Sequence, residues 1–277
     1  MAYKNFEELI GSVTKGNMKK RALVVQPKTE NVISAIERAE AEGALECIRI
    51  ICDSDEEAAK EAVRLVREGK ADLIMKGSLE TGTLLKEVVN KETGIGLGGT
   101  MCHMMLVEIP GYHKVIGVTD GGMLINPTLE QKISMVESAV SMFRRLDVEC
   151  PKVACLAAVE KVNPKMQETL DGAELKKLAL EGRFGKCYVE GPVSTDLAFS
   201  RRAAEIKGYE SPVTGDVDIV LVPNIATGNI MVKSLVEFAG AKTAGCILGA
   251  KVPISLTSRG ATVEEEYNAL MLAAAQA

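Results

Sequence analysis

The amino-acid sequence predicts an α/β protein built on a largely parallel sheet. Short apolar strand patterns alternate with amphipathic helical patterns from residue 6 onward. The helical stretches between strands are long enough for right-handed crossovers. Gly43 and Gly69 each stand just past a helical run, where a left-handed cap is needed. A chain of 277 residues can form one large α/β domain or two smaller ones, and it buries enough surface to be stable without disulfides.

The elements follow in order. FEELIGSV reads as a helix, RALVVQP as a strand, TENVISAIERAEAEG as a helix, ECIRIICD as a strand, DEEAAKEAVRLVREG as a helix, ADLIMKG as a strand and TGTLLKEVVNKE as a helix. The glycine-rich TGIGLGG then changes the pattern. Gly94, Gly96 and Gly99 match G-x-G-x-x-G, but the match follows a helix and precedes a strand, the reverse of a dinucleotide-binding turn, so it reads as a crossing between domains. TMCHMMLVEI and KVIGVTD, joined by PGYH, predict a hairpin. A long helix runs from Asn126-Pro127 to about Leu146, with Thr128 and Gln131 at capping-box spacing. A second α/β unit continues through strand VACLAAVE, a helix opened by Asn163-Pro164, strand KCYVEG, a segment from Pro192 to Ile206, strand DIVLVPN, a helix over 227–239 and strand TAGCILG. The strand in KVPISLTSRG then either extends this sheet or crosses back to the first unit; pattern alone leaves both open.

Composition narrows the function. A net charge of −5, no tryptophan and 4% aromatic residues exclude a basic, stacking nucleic-acid surface, so the expected partner is a small molecule. Any charge on an anionic ligand must be met by a few local cations and helix N-termini. Seven cysteines with no CxxC pair read as reduced thiols of a cytoplasmic protein. Two histidines, His103 and His113, cannot build a multi-histidine metal site. The opening residues lack a signal-peptide pattern, and no apolar run reaches the roughly 18 residues of a membrane span.

There is no GxSxG elbow and no GxxxxGK[ST] phosphate loop. What remains is a set of polar loops at the ends of predicted strands, where open parallel sheets bind ligands. Lys76 and Ser78 follow one strand, and Asn224, Thr227, Gly228 and Asn229 follow another. The last of these loops, Thr257-Ser258-Arg259-Gly260, offers a hydroxyl beside a five-donor guanidinium, a pairing suited to a phosphate or a developing oxyanion. Each has a plainer reading. Arg259 reads equally as a solvated cation, Asn229 as a helix N-cap, Lys86 as a surface lysine, and Glu265 as the partner of Thr262 in a capping box.

Six segments, ADLIMKGSLETGTLLKEVV, VTDGGMLINPTLEQK, AAVEKVNPKMQETLD, VEGPVSTDLAFS, GDVDIVLVPNIATGNIMVKSLVEFAGAK and GAKVPISLTSRG, resemble the phosphate acyltransferase family, in particular its phosphate butyryltransferase branch. They run in order over residues 71–260. The resemblance implies the fold of the isocitrate and isopropylmalate dehydrogenase group, two α/β domains flanking a cleft. The first domain is then discontinuous, 1–95 plus 250–277, and the second is 96–249. The implied reaction is acyl-CoA plus phosphate giving acyl phosphate plus CoA, by direct transfer in a ternary complex without a covalent acyl-enzyme. Ser258, Arg259 and Glu265 fall on the family's active-site positions, with glutamate where aspartate is usual. Lys86 falls where phosphate acetyltransferases carry arginine, and gives a point-like contact to phosphate without a bidentate fork. Cys102-His103 replaces a Ser-His pair common in the branch.

The resemblance implies no metal and no prosthetic group, coenzyme A as a substrate, and a homo-oligomer. Two competing readings are a metal- and NAD-dependent hydroxy-acid dehydrogenase of the related fold and a non-catalytic two-domain anion binder.

Overall fold

The computed structural model describes residues 3–16 and 19–277. They form two units, one made of Asn5–Met101 with Lys242–Ala277 and the other centred on Cys102–Ala241.

The first unit holds α1 (Phe6–Thr14), β1 (Lys20–Val25), α2 (Glu30–Ala41), β2 (Leu45–Ile50), α3 (Asp55–Arg67), β3 (Leu73–Lys76) and α4 (Thr81–Val88). It is completed from the far end of the chain by β9 (Lys242–Leu248), β10 (Ile254–Ser255) and α10 (Val263–Gln276). The strand order is β2-β1-β3-β10-β9. All neighbours are parallel except β10 and β9. Asn5, Thr29 and Ser54 cap their helices through side-chain oxygens, and Gly43 and Gly69 take positive φ just beyond α2 and α3, as expected. Ala22 and Val24 of β1 pack with Val32, Ile36, Tyr267 and Leu270. The alternating residues Leu23 and Val25 are buried as well, so the strand is covered on both faces. α10 is buried along almost its whole length and packs on α1, α2 and β9. Its apolar residues surround the axis, the pattern of a core helix.

β10 therefore crosses back: Ile254 and Ser255 lie beside Ile74 and Met75 of β3. Their other neighbours are Ile247 and Cys246, which brings β9 into this unit and not the second, where the expected span 96–249 puts it. The units exchange at 101/102 and 241/242.

The second unit holds β4 (Cys102–Glu108), β5 (Ile116–Thr119), α5 (Leu129–Arg145), β6 (Lys152–Leu156), α6 (Gln167–Leu180), β7 (Tyr188–Val193), α7 (Thr195–Phe199), α8 (Arg201–Lys207), β8 (Ile219–Leu221) and α9 (Ile225–Ala239). Its strand order is β4-β5-β8-β6-β7, with β4 and β5 forming the expected antiparallel hairpin and the rest parallel. α5 opens with the predicted capping box of Thr128 and Gln131. Three boundaries differ from expectation. α6 starts at Gln167, because the Asn163 side chain accepts from the Lys165 amide and closes a turn ahead of the helix. The 192–206 segment is two short helices broken at Ser200, whose side chain caps the second. α9 starts at Ile225, capped by Asn224, so Asn229 lies inside the helix and is not its cap.

Lys132 of α5 and Asp171 of α6 form a buried ion pair at 2.6 Å, and Gln167 donates to the second carboxylate oxygen at 2.8 Å. Removing one member leaves an uncompensated buried charge. Lys132→Ala is expected to lose about 3–5 kcal/mol in urea unfolding. A loss below about 1 kcal/mol contradicts this account of the pair.

Candidate active site

β1, β3 and β10 run parallel, and their carboxyl ends bring three loops together. Val25 pairs with Lys76, and Met75 with Ser255, so Gln26, Gly77 and Thr257 follow at nearly one level. This is the edge at which open parallel sheets bind ligands. Backbone contacts fix the first two loops: the Gly77 amide donates to the Val25 carbonyl at 2.9 Å and the Ser78 amide to the Gln26 carbonyl at 2.9 Å. A Cβ at Gly77 would lie 2.4 Å from the Val25 oxygen, so the close approach requires glycine. Gln26 has φ of +54°, unusual for a residue with a side chain. Its buried amide nitrogen holds it there by donating to the Cys52 carbonyl at 3.1 Å and to Asp55 at 3.2 Å.

The candidate residues of this unit differ in what they can reach. Ser258 and Arg259 are both exposed in the loop after β10. Arg259 donates to Glu80 at 2.8 Å, with the two side chains 88% and 72% exposed. The guanidinium thus already rests on an oxyanion supplied by the neighbouring loop. Ser78 is exposed and accepts from the Lys28 amide at 3.3 Å. Lys86 is exposed in the last turn of α4. Lys76 is buried, and its ammonium donates to the carbonyls of Gly77 at 2.8 Å and Leu79 at 3.2 Å. It ties down its own loop. Burial pushes its pKa down, opposed by attraction to Glu266.

Glu265 makes the capping box with Thr262. One carboxylate oxygen accepts from the Thr262 amide at 2.8 Å and hydroxyl at 3.1 Å, and the other faces the Thr243 hydroxyl at 3.4 Å. The first oxygen is committed to the helix end, while the second is lightly held.

One residue that sequence pattern did not single out is Glu266. It is buried at 6% exposure, and its Oε1 accepts from the Thr257 hydroxyl at 2.8 Å. Burial raises its pKa, with the Thr257 hydrogen bond and Lys76 acting against that rise. In the run Glu264-Glu265-Glu266 all three read as acids of a first helical turn. Periodicity could not show which one points inward, because α10 is apolar on every side.

In the second unit, Asn224 accepts from the Thr227 amide and hydroxyl, both at 3.0 Å. The Gly228 amide donates to the Asn224 carbonyl at 3.2 Å. Both amides are therefore engaged within the helix start. Gly228 serves a packing need: a Cβ there would lie 2.8 Å from the Asp120 carbonyl oxygen. Asn229 donates to the Gly121 carbonyl at 3.1 Å, joining α9 to the loop after β5. Asp120 shapes that loop by accepting from the amides of His103, Gly122 and Met123, each at 2.7 Å. His103 is buried, and neither ring nitrogen has a partner among the described residues. Burial holds its pKa down and keeps it neutral.

Comparison with known proteins gives a consistent result. The family model described as phosphate acetyl/butaryl transferase matches residues 12–274. The chain is 37% identical to the phosphate butyryltransferase of Clostridium acetobutylicum, over 98% of this chain and 97% of that one. It is 42% identical to the phosphate acetyltransferase of Thermotoga maritima, over 82% of this chain and 77% of that one. The crystal structure of a branched-chain phosphotransacylase from Enterococcus faecalis V583 superposes with a TM-score of 0.83 at 32% identity, covering 94% of this chain and 99% of the other.

Proposed function

Because the chain belongs to the phosphate acetyl/butaryl transferase family and is a phosphate acyltransferase, we propose that it moves a short acyl group directly between coenzyme A and inorganic phosphate. The observation that carries this reading is the exposed Ser258-Arg259 pair at the carboxyl end of β10, its guanidinium already seated on a carboxylate oxygen. A phosphate oxygen is the same kind of partner, with more charge to offer.

In the direction that forms acyl-CoA, the CoA thiol must lose its proton before it attacks. Glu265 takes that proton on its lightly held oxygen while the other oxygen keeps the cap. The thiolate attacks the acyl carbonyl carbon, and the Ser258 hydroxyl donates to the oxyanion that develops. The carbonyl reforms as the bond to phosphate breaks, and Arg259 neutralises the charge on the departing group. Ser78 and Lys86 supply further phosphate contacts. Lys76, bonded to its own loop, acts by shaping that loop. Asn224, Thr227 and Asn229 offer side-chain contacts to coenzyme A, and Gly228 permits the close packing that sets them. No acyl-enzyme, metal or prosthetic group enters this scheme.

The expected likeness to the isocitrate and isopropylmalate dehydrogenase fold belongs to the same proposal, as do a cytoplasmic setting and a homo-oligomer. No helix among the described residues is long and apolar enough to cross a membrane.

Incubating the enzyme with butyryl-CoA and titrating free thiol tests the reading. Release that requires phosphate is expected. Stoichiometric release without phosphate would mean an acyl-enzyme, and no release with acetyl-, butyryl- or branched acyl-CoA would reject the transferase. Glu265→Gln retains a cap acceptor and removes the base, so its turnover is expected to fall by about 10²–10⁴ with stability unchanged. Wild-type turnover in that variant would leave Glu265 as a cap alone.

A further inference from the structure

The loop that carries Ser258 and Arg259 has few fixed points. Ser258, Arg259 and Gly260 are exposed in succession, and the Ser258 carbonyl accepts one backbone bond, from Ala261 at 3.2 Å. The Arg259–Glu80 pair joins two exposed side chains, is screened by solvent, and meets competition from any phosphate that Arg259 takes. At the far end of the loop the Ala261 carbonyl accepts from the Asn31 side chain at 2.9 Å, and a further tie lies beneath Ser258. Thr257, immediately before Ser258, donates its hydroxyl to the buried carboxylate of Glu266 at 2.8 Å. Most of the buried residues that follow on α10 are apolar, including Tyr267 and the run from Ala269 to Ala274, so an acid at 266 is costly to bury and the Thr257 hydrogen bond offsets part of that cost.

The charges around Glu266 come from both neighbouring elements. Lys76 attracts it from the end of β3, and Glu265 repels it along α10. Lys76 in turn feels Arg259 and Asp55. The same ammonium holds the 77–80 loop through the Gly77 and Leu79 carbonyls. A buried acid thus anchors one loop and a buried base anchors the other, and the two attract each other.

We propose that Glu266 is a positioning residue for acyl transfer, holding Thr257 from below so that Ser258 and Arg259 keep their reactive placement when phosphate competes with the Glu80 contact. The inference rests on the reading that Ser258 and Arg259 meet the substrates. It adds a residue outside the reacting set, together with a cause for the order of an otherwise exposed loop.

Thr257→Val tests it: the change is nearly isosteric at a half-buried position, and because it takes a hydrogen bond from a buried carboxylate, urea unfolding first establishes that the variant is folded. Loss of a hydrogen bond to a charged group is expected to lower kcat by about 10-fold, with KM for acyl-CoA changed by less than about 3-fold. Tryptic cleavage after Arg259, followed in the folded full chain as release of fragment 260–277, is expected to speed up by at least about 3-fold. Thr257→Ser should restore both values to within about 2-fold, and Thr257→Val with Glu266→Gln should be no worse than Thr257→Val alone, since both remove one interaction. A Thr257→Val enzyme with kcat and cleavage rate both within about 2-fold of wild type overturns the proposal. If the wild type releases no thiol in response to phosphate, the acyltransfer scheme fails instead. The cleavage rate then still decides whether the Glu266 tie orders the loop, and an unchanged rate overturns it.

Discussion

The first unit depends on one short stretch of parallel pairing, two residues of β10 laid against β3. Ile74 donates its amide to the Pro253 carbonyl at 3.0 Å, while on the other side Leu256 donates to the Gly245 carbonyl at 3.1 Å. Through these bonds a segment near the end of the chain becomes an interior strand of a sheet whose other parallel members all come from the first 76 residues. Two consequences follow. β9 is turned antiparallel and joins the same sheet, and α10 is delivered onto α1 and α2, where its aromatic and aliphatic residues complete the core. The candidate active-site loops are side by side because the strands that end in them are hydrogen-bonded neighbours.

Parallel strands alone would give two adjacent polar loops with no fixed geometry. The order comes from a small set of buried polar groups beneath them. Gly77 admits a backbone approach that any side chain would block, Gln26 holds a left-handed turn through three acceptors, and Lys76 and Glu266 each take a loop from below. Groups of this kind are costly to bury, and they repay the cost only where their hydrogen bonds are made. Above this layer, Ser258, Arg259 and Glu80 remain accessible to solvent and so to substrate.

Much of this was legible in the sequence, and the failures have physical reasons. Alternation of strand and helix patterns, with Gly43, Gly69, Thr128 and Thr262 as punctuation, located nearly every element, because these signals are local. The partner of KVPISLTSRG was not local information; pattern fitted two sheets equally, and the family resemblance made the choice that the β3 pairing bears out. The expected boundary at 249 puts β9 in the second unit, whereas it belongs to the first, because a strand's own residues do not reveal which unit it completes. The start of α9 was read two residues late, since Asn224 looked like the end of a strand and Asn229 looked like a cap. Ser258 and Arg259 stood out as a hydroxyl beside a cation. Glu266 did not, because a buried acid in the first turn of a helix looks in sequence like an ordinary N-terminal charge.

The central claim is that the loop after β10 is where acyl transfer occurs, with Arg259 as the group that neutralises phosphate. The most direct measurement is phosphate-dependent thiol release by folded Arg259→Ala. The account predicts a loss of about 10²–10³ in turnover. Turnover near that of the wild type would contradict it and move the reaction away from this loop.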